Sequence, residues 1–64
     1  LKNFVEQERE KKGLTREELA KLVDVSRQTI YFLETGKYNP SLQLAYKLAQ
    51  VFNCLIEDLF IFDK

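Results

Sequence analysis

Arg27 and Gln28 stand next to each other directly after Ser26. Both end in planar groups that present hydrogen-bonding atoms side by side, which suits them to two-pronged contacts. Thr29, Tyr31 and Phe32 follow within the same short stretch. At about 100° per residue on a helix, Arg27, Gln28, Tyr31 and Phe32 fall on the arc opposite the apolar pair Ile30 and Leu33, and Thr29 flanks it. An exposed Tyr-Phe pair loses hydration free energy unless something covers it. This stretch therefore carries the chemistry of non-covalent recognition.

Covalent and metal chemistry have little to work with. The chain has no His and one Cys, Cys54. Ser-His and Cys-His pairs, metal–imidazole sites and Cys-cluster zinc sites are therefore absent. The carboxylates are mixed with Lys and Arg along helical surfaces, without an evident paired site for acid–base work. The sequence predicts a binding protein that is not an enzyme and uses no cofactor or metal. Cys54 reads as a small buried hydrophobe, with a reactive thiol as the alternative.

The composition bounds the scaffold. Sixty-four residues carry ten Lys plus Arg against ten Asp plus Glu, a formal net charge of zero. With 45% hydrophobic and 31% charged residues, the balance is that of a globular domain. One domain over residues 1–64 is expected. Two Gly and one Pro are too few for a many-turned β-sandwich. No apolar run approaches the ~20 residues of a membrane span. No secretory leader pattern is visible, so the cytoplasm is the expected location and no membrane partner is expected. The chain begins at Leu1 and contains no Met, which suggests a trimmed start. A domain of this size buries only about 60% of the surface its unfolded chain exposes, which favours oligomerisation.

The periodicity predicts five helices. Residues 2–12 form the first, ended by Gly13, with a charged solvated face. Thr15 and Glu18 make a capping box that opens a second helix over 16–23. Asp24 interrupts it, Val25 plugs the turn, and Ser26 caps a third helix over 27–35 that Gly36 stops. The short connection fits the tight crossing of a helix-turn-helix, and Ala20 lets the two backbones approach closely. Ser41 caps a fourth helix with a broad apolar face, and Asn53 ends it in the left-handed conformation. A last helix covers 56–60. The expected fold is all-α, a compact five-helix domain whose second and third helices form the helix-turn-helix over about 16–35.

Over nearly the whole chain, these residues resemble the phage repressor/Cro-type helix-turn-helix domain, the XRE family. Lys12-Gly13-Leu14-Thr15-Arg16-Glu17-Glu18-Leu19-Ala20 resembles its second-helix signature, and Ser26-Arg27-Gln28-Thr29-Ile30 the start of its recognition helix. Glu34-Thr35-Gly36-Lys37-Tyr38-Asn39-Pro40-Ser41-Leu42 resembles the loop that follows. Ile56-Glu57-Asp58-Leu59-Phe60 resembles the fifth helix. The resemblance implies a dimeric transcriptional regulator, a repressor, binding double-stranded DNA at an inverted-repeat operator. The helix over 27–35 would enter the major groove.

In that docking geometry Gln28 suits adenine and Arg27 suits guanine, with phosphate as the other partner open to Arg27. Tyr31 and Phe32 are placed for thymine methyls or sugars; Phe32 alternatively folds onto the fourth helix or the Tyr38 loop. Arg16, Thr29, Lys37, Tyr38, Asn39 and Ser41 are the phosphate contacts. Lys37 also suits the C-terminal dipole of the third helix. Glu34 reads as structural, paired with Arg16. Arg16 departs from the family's frequent Gln, Asp24 from its frequent Gly, and Leu55 from its usual Ser or Thr cap. Arg16, Arg27 and Lys37 gather on the proposed face, whereas Glu57, Asp58 and Asp63 lie late in the chain. The apolar ending makes Leu55, Leu59, Phe60, Ile61 and Phe62 the expected homodimer surface. Leu59 and Phe60 alternatively complete the core, and Ile61 and Phe62 suit a strand paired with the partner chain. The rival reading is a protein-interaction module, such as a small helical antitoxin or adaptor whose apolar tail binds another protein.

Overall fold

The computed structural model describes residues 2–62. A short strand β1 (Lys2–Asn3) is followed by five helices: α1 (Val5–Lys11), α2 (Arg16–Leu22), α3 (Arg27–Glu34), α4 (Leu42–Phe52) and α5 (Ile56–Leu59). A second short strand, β2 (Phe60–Ile61), closes the order. None of the helices among the described residues is long and apolar enough to cross a membrane.

The helix limits follow from local chemistry. α1 begins later than the charge pattern suggests, because Lys2–Asn3 is extended and the Asn3 side-chain oxygen accepts from the Val5 N–H at 3.0 Å. Gly13 then takes a positive φ of 69° and turns the chain into Leu14. At α2 the Thr15 hydroxyl accepts from the Glu18 N–H at 3.0 Å, and the Glu18 carboxylate accepts from the Thr15 N–H at 2.8 Å. That contact holds the Glu18 carboxyl below its ordinary pKa. Ser41 accepts from the Leu44 N–H at 3.1 Å to cap α4, and Asn53 ends it at φ 53°. α5 lacks a hydroxyl cap, as its sequence implied. Asp58 instead accepts from the Leu55 N–H at 3.3 Å.

Apolar faces of all five helices meet in one core. Leu19, Ile30, Leu33 and Leu48 are completely buried, and Val5, Val23, Phe52 and Leu59 join them. α4 supplies much of the centre through Leu44, Ala45, Leu48, Ala49 and Phe52, as its broad apolar stripe requires.

The first and last described elements are tied together. β1 and β2 pair antiparallel, Lys2 opposite Ile61 and Asn3 opposite Phe60. The Phe4 N–H donates to the Leu59 carbonyl at 2.9 Å. The strand expected between partner chains is therefore formed within one chain, at residues 60–61. The expected dimer surface is corrected in the same region. Leu59 and Phe60 are 1% and 2% exposed and complete this chain's own core, whereas Leu55, Ile61 and Phe62 remain on the surface.

Two neighbouring aromatics should thus behave differently. Phe60→Ala removes a buried ring and is expected to cost about 3–5 kcal/mol, independently of protein concentration. That is much of the stability a chain this short can have. Phe62→Ala should leave the intrinsic stability within about 0.5 kcal/mol. Urea denaturation at several protein concentrations checks both, and equal costs would refute the placement.

Candidate functional site

The turn between α2 and α3 positions the outward face of α3. Ala20, 3% exposed, sits where α2 crosses α3, and Val25 packs half-buried beside it. The Val25 N–H donates to the Ala20 carbonyl at 3.0 Å. Asp24 adopts φ 60° in the turn, the left-handed conformation Asp tolerates better than most residues. The Ser26 hydroxyl then accepts from the Thr29 N–H at 3.1 Å and starts α3. With Ile30 and Leu33 committed to the core, Arg27, Gln28, Tyr31 and Phe32 face outward and are exposed.

A carboxylate behind this face ties three helices together. The Glu34 side chain is 2% exposed and lies between two arginines. Arg9 Nε donates to Glu34 Oε2 at 2.6 Å and Arg9 Nη2 to Oε1 at 3.4 Å, while Arg16 Nε donates to Oε1 at 2.9 Å. Arg9 also donates to the Leu14 carbonyl at 2.9 Å, closing the turn between α1 and α2. The Glu34 hydrogen bond raises the Arg16 pKa above its ordinary value, so its charge is permanent. Arg16 Nη2 lies 3.7 Å from a Glu6 carboxylate oxygen. The Arg16 guanidinium carbon sits 5.3 Å from the centre of the Tyr31 ring, within cation–π range. Tyr31 in turn contacts Phe32, with ring centres 5.7 Å apart and planes tilted by 54°.

Of the residues singled out in the sequence, Arg16, Arg27, Gln28 and Tyr31 line one open cleft of about 1060 Å³, together with Thr15, Glu17, Ser26 and Arg9. Lys37, Tyr38 and Asn39 are exposed on the loop after α3, outside that cleft. Phe32 is 38% exposed and leans on Tyr31. Two hydroxyls have structural work already. Thr29 Oγ1 is 2.9 Å from Ser26 Oγ, and Ser41 caps α4. Leu55 and Phe62 line a separate groove of about 750 Å³ with Tyr46, Cys54 and Ile56. Partial burial pushes the Cys54 thiol pKa up, away from a reactive thiolate. Asp63 lies outside the described residues.

The expected Arg16–Glu34 contact is present. Arg9 escaped the sequence reading, which assigned its whole helix a solvated charged face. The signal was there: Arg9 lies four residues after Val5, on the same buried stripe, just as Glu34 lies four after Ile30.

A short helix, a tight turn through a left-handed Asp24 and a second helix with an exposed polar and aromatic face define a helix-turn-helix domain. The helix-turn-helix family model matches residues 5–59. The chain is 73% identical over 55 residues to an uncharacterized HTH-type transcriptional regulator of Archaeoglobus fulgidus, covering 86% of this chain and 79% of that protein. It is 59% identical over 64 residues to a second such regulator from that organism, covering 100% of this chain and 90% of the relative. A third, from Methanocaldococcus jannaschii, is 51% identical over 63 residues, 98% of this chain and 96% of its own length. The chain belongs to the XRE-type helix-turn-helix family.

Glu34→Ala leaves Arg9, with its side chain only 10% exposed, facing no countercharge. The expected cost is about 3–5 kcal/mol, with a smaller loss for Glu34→Gln, which keeps an acceptor. Equilibrium denaturation measures both. A loss below about 1 kcal/mol for Glu34→Ala would show that Arg9 does not depend on this carboxylate.

Proposed function

We propose that this protein is a sequence-specific double-stranded DNA-binding transcriptional regulator that acts as a homodimer and a repressor in the cytoplasm. The observation that carries the reading is the outward face of α3. Arg27 and Gln28 are exposed at its start, with Tyr31 and Phe32 beside them, while its other side is locked into the core. In the major groove, Gln28 pairs with adenine and Arg27 with guanine, and the two aromatics meet thymine methyls or sugars. Arg16, Thr29, Lys37, Tyr38, Asn39 and Ser41 grip the phosphates on either side.

Repression on this reading is steric: a dimer on an inverted repeat excludes polymerase. Two-fold symmetry sets half-sites about one helical turn, ~10 bp, apart. On this reading Leu55, Ile61 and Phe62 are the dimer residues; their exposures of 60%, 40% and 61% leave them available to a second copy.

In vitro selection from random duplexes should enrich inverted repeats. Gln28→Ala should lose about 1–3 kcal/mol of discrimination at one base pair. Lys37→Ala should weaken all duplexes alike and reduce the salt slope by about one. Identical uniform losses from both variants would contradict the assignment. Phe62→Asp should lower the dimer fraction in analytical ultracentrifugation, and an unchanged mass distribution would move the interface elsewhere.

A further inference from the structure

The Arg16 guanidinium is more constrained than a phosphate contact requires. Its Nε is held by the buried Glu34 carboxylate at 2.9 Å, and Glu34 is itself clamped by Arg9 at 2.6 Å. Its carbon lies 5.3 Å from the centre of the Tyr31 ring. Tyr31 belongs to the recognition helix, and its side chain lines the same cleft as Arg27 and Gln28. Tyr31 is 45% exposed, and its neighbour on the recognition helix, Phe32, touches it only obliquely, with ring centres 5.7 Å apart and planes tilted by 54°. One side of the Tyr31 ring meets a cation anchored to the protein interior.

We propose that Arg16 is a positioning residue for sequence readout: pinned by Glu34, it lies against the Tyr31 ring and fixes the orientation in which that ring meets the groove. This rests on the reading of α3 as the base-reading helix. It gives Arg16 a role that its charge alone cannot fill. A lysine keeps the charge, but it has neither the Nε that engages Glu34 nor the planar cation that spreads over a ring. The Glu6 carboxylate, at 3.7 Å from Nη2, is the looser partner and the one a phosphate can displace without releasing Arg16 from Glu34.

The test compares wild type, Arg16→Lys, Tyr31→Ala and the double variant. Each is titrated against a selected operator and a panel of its single-base-pair substitutions. Tyr31→Ala identifies the base pair that the ring reads. Arg16→Lys should lose roughly three- to tenfold of discrimination at that same base pair, with its salt slope unchanged because the charge remains. The double variant should match Tyr31→Ala alone. Arg16→Met, which keeps the aliphatic stem, should lose the same discrimination and also show a shallower salt slope; it serves if the lysine variant melts early.

A uniform loss across the panel, with the base profile kept, would make Arg16 a phosphate contact only and overturn the proposal. Losses at a different base pair, or losses that multiply in the double variant, would overturn it too. If wild type itself selects no sequence, the reading of α3 falls and this proposal with it. If wild type selects and Arg16→Lys keeps its full profile, the proposal alone falls.

Discussion

The Glu34 carboxylate is the constraint on which the arrangement of the outward face of α3 depends. It sits near the end of α3, almost without solvent, and receives Arg9 from α1 and Arg16 from the first turn of α2. Such a contact adds little net stability over apolar packing, because desolvating the charges offsets most of their attraction. Its contribution is directional. Hydrogen bonds from two guanidinium groups to one carboxylate fix the relative rotation of three short helices more narrowly than apolar contacts do. No buried side-chain nitrogen or oxygen among the described residues lacks a partner, so the network is satisfied as it stands.

The face that results is a consequence of what the other side of α3 must do. Ile30 and Leu33 are completely buried, and α3 has only eight residues. Once those two are inside, helical geometry leaves Arg27, Gln28 and Tyr31 no inward option. The turn ahead of α3 adds the second condition. Ala20 permits close approach, and Asp24 accepts a positive φ in a place where Gly is more comfortable. The tie between β1 and β2 adds a third, since it holds residues 2–3 beside residues 60–61. The Asn3 side chain donates to the Leu33 carbonyl at 2.9 Å, so β1 reaches α3 itself.

Most of this was legible in local signals. Thr15, Ser26 and Ser41 announced the starts of α2, α3 and α4, and Gly13, Gly36 and Asn53 marked left-handed positions, because caps and stops act over three or four residues. The outward arc of α3 followed from periodicity alone. What was lost depends on distant partners. Arg9 sat in a charged run whose composition said solvent, and only the spacing from Val5 pointed inward. Lys2–Asn3 has no strand character of its own; it is extended because residues 60–61 lie beside it. The apolar ending was visible, but its division into buried Leu59 and Phe60 and exposed Ile61 and Phe62 follows from that same pairing. Tyr31 is out of place in solvent by its type alone, whereas the cation against its ring comes from another helix and has no local signal.

The zero net charge acquires a meaning from this geometry. Glu34 and the looser Glu6 offset Arg9 and Arg16, so these four side chains leave the local charge balance near zero. Arg27 and Lys37 add to it, while Glu17 on the cleft wall subtracts. On the DNA-binding reading, each subunit can then neutralise only a few phosphates, and the salt-dependent attraction common to all sequences stays small. Selectivity is a difference between the right duplex and all the others. On the same reading, direct contacts from Gln28, Arg27 and an oriented Tyr31 weigh more heavily in that difference when the shared background is low. On that reading a second copy on a symmetric site would double the contacts, and exposed Leu55 and Phe62, which line one groove, suit such pairing.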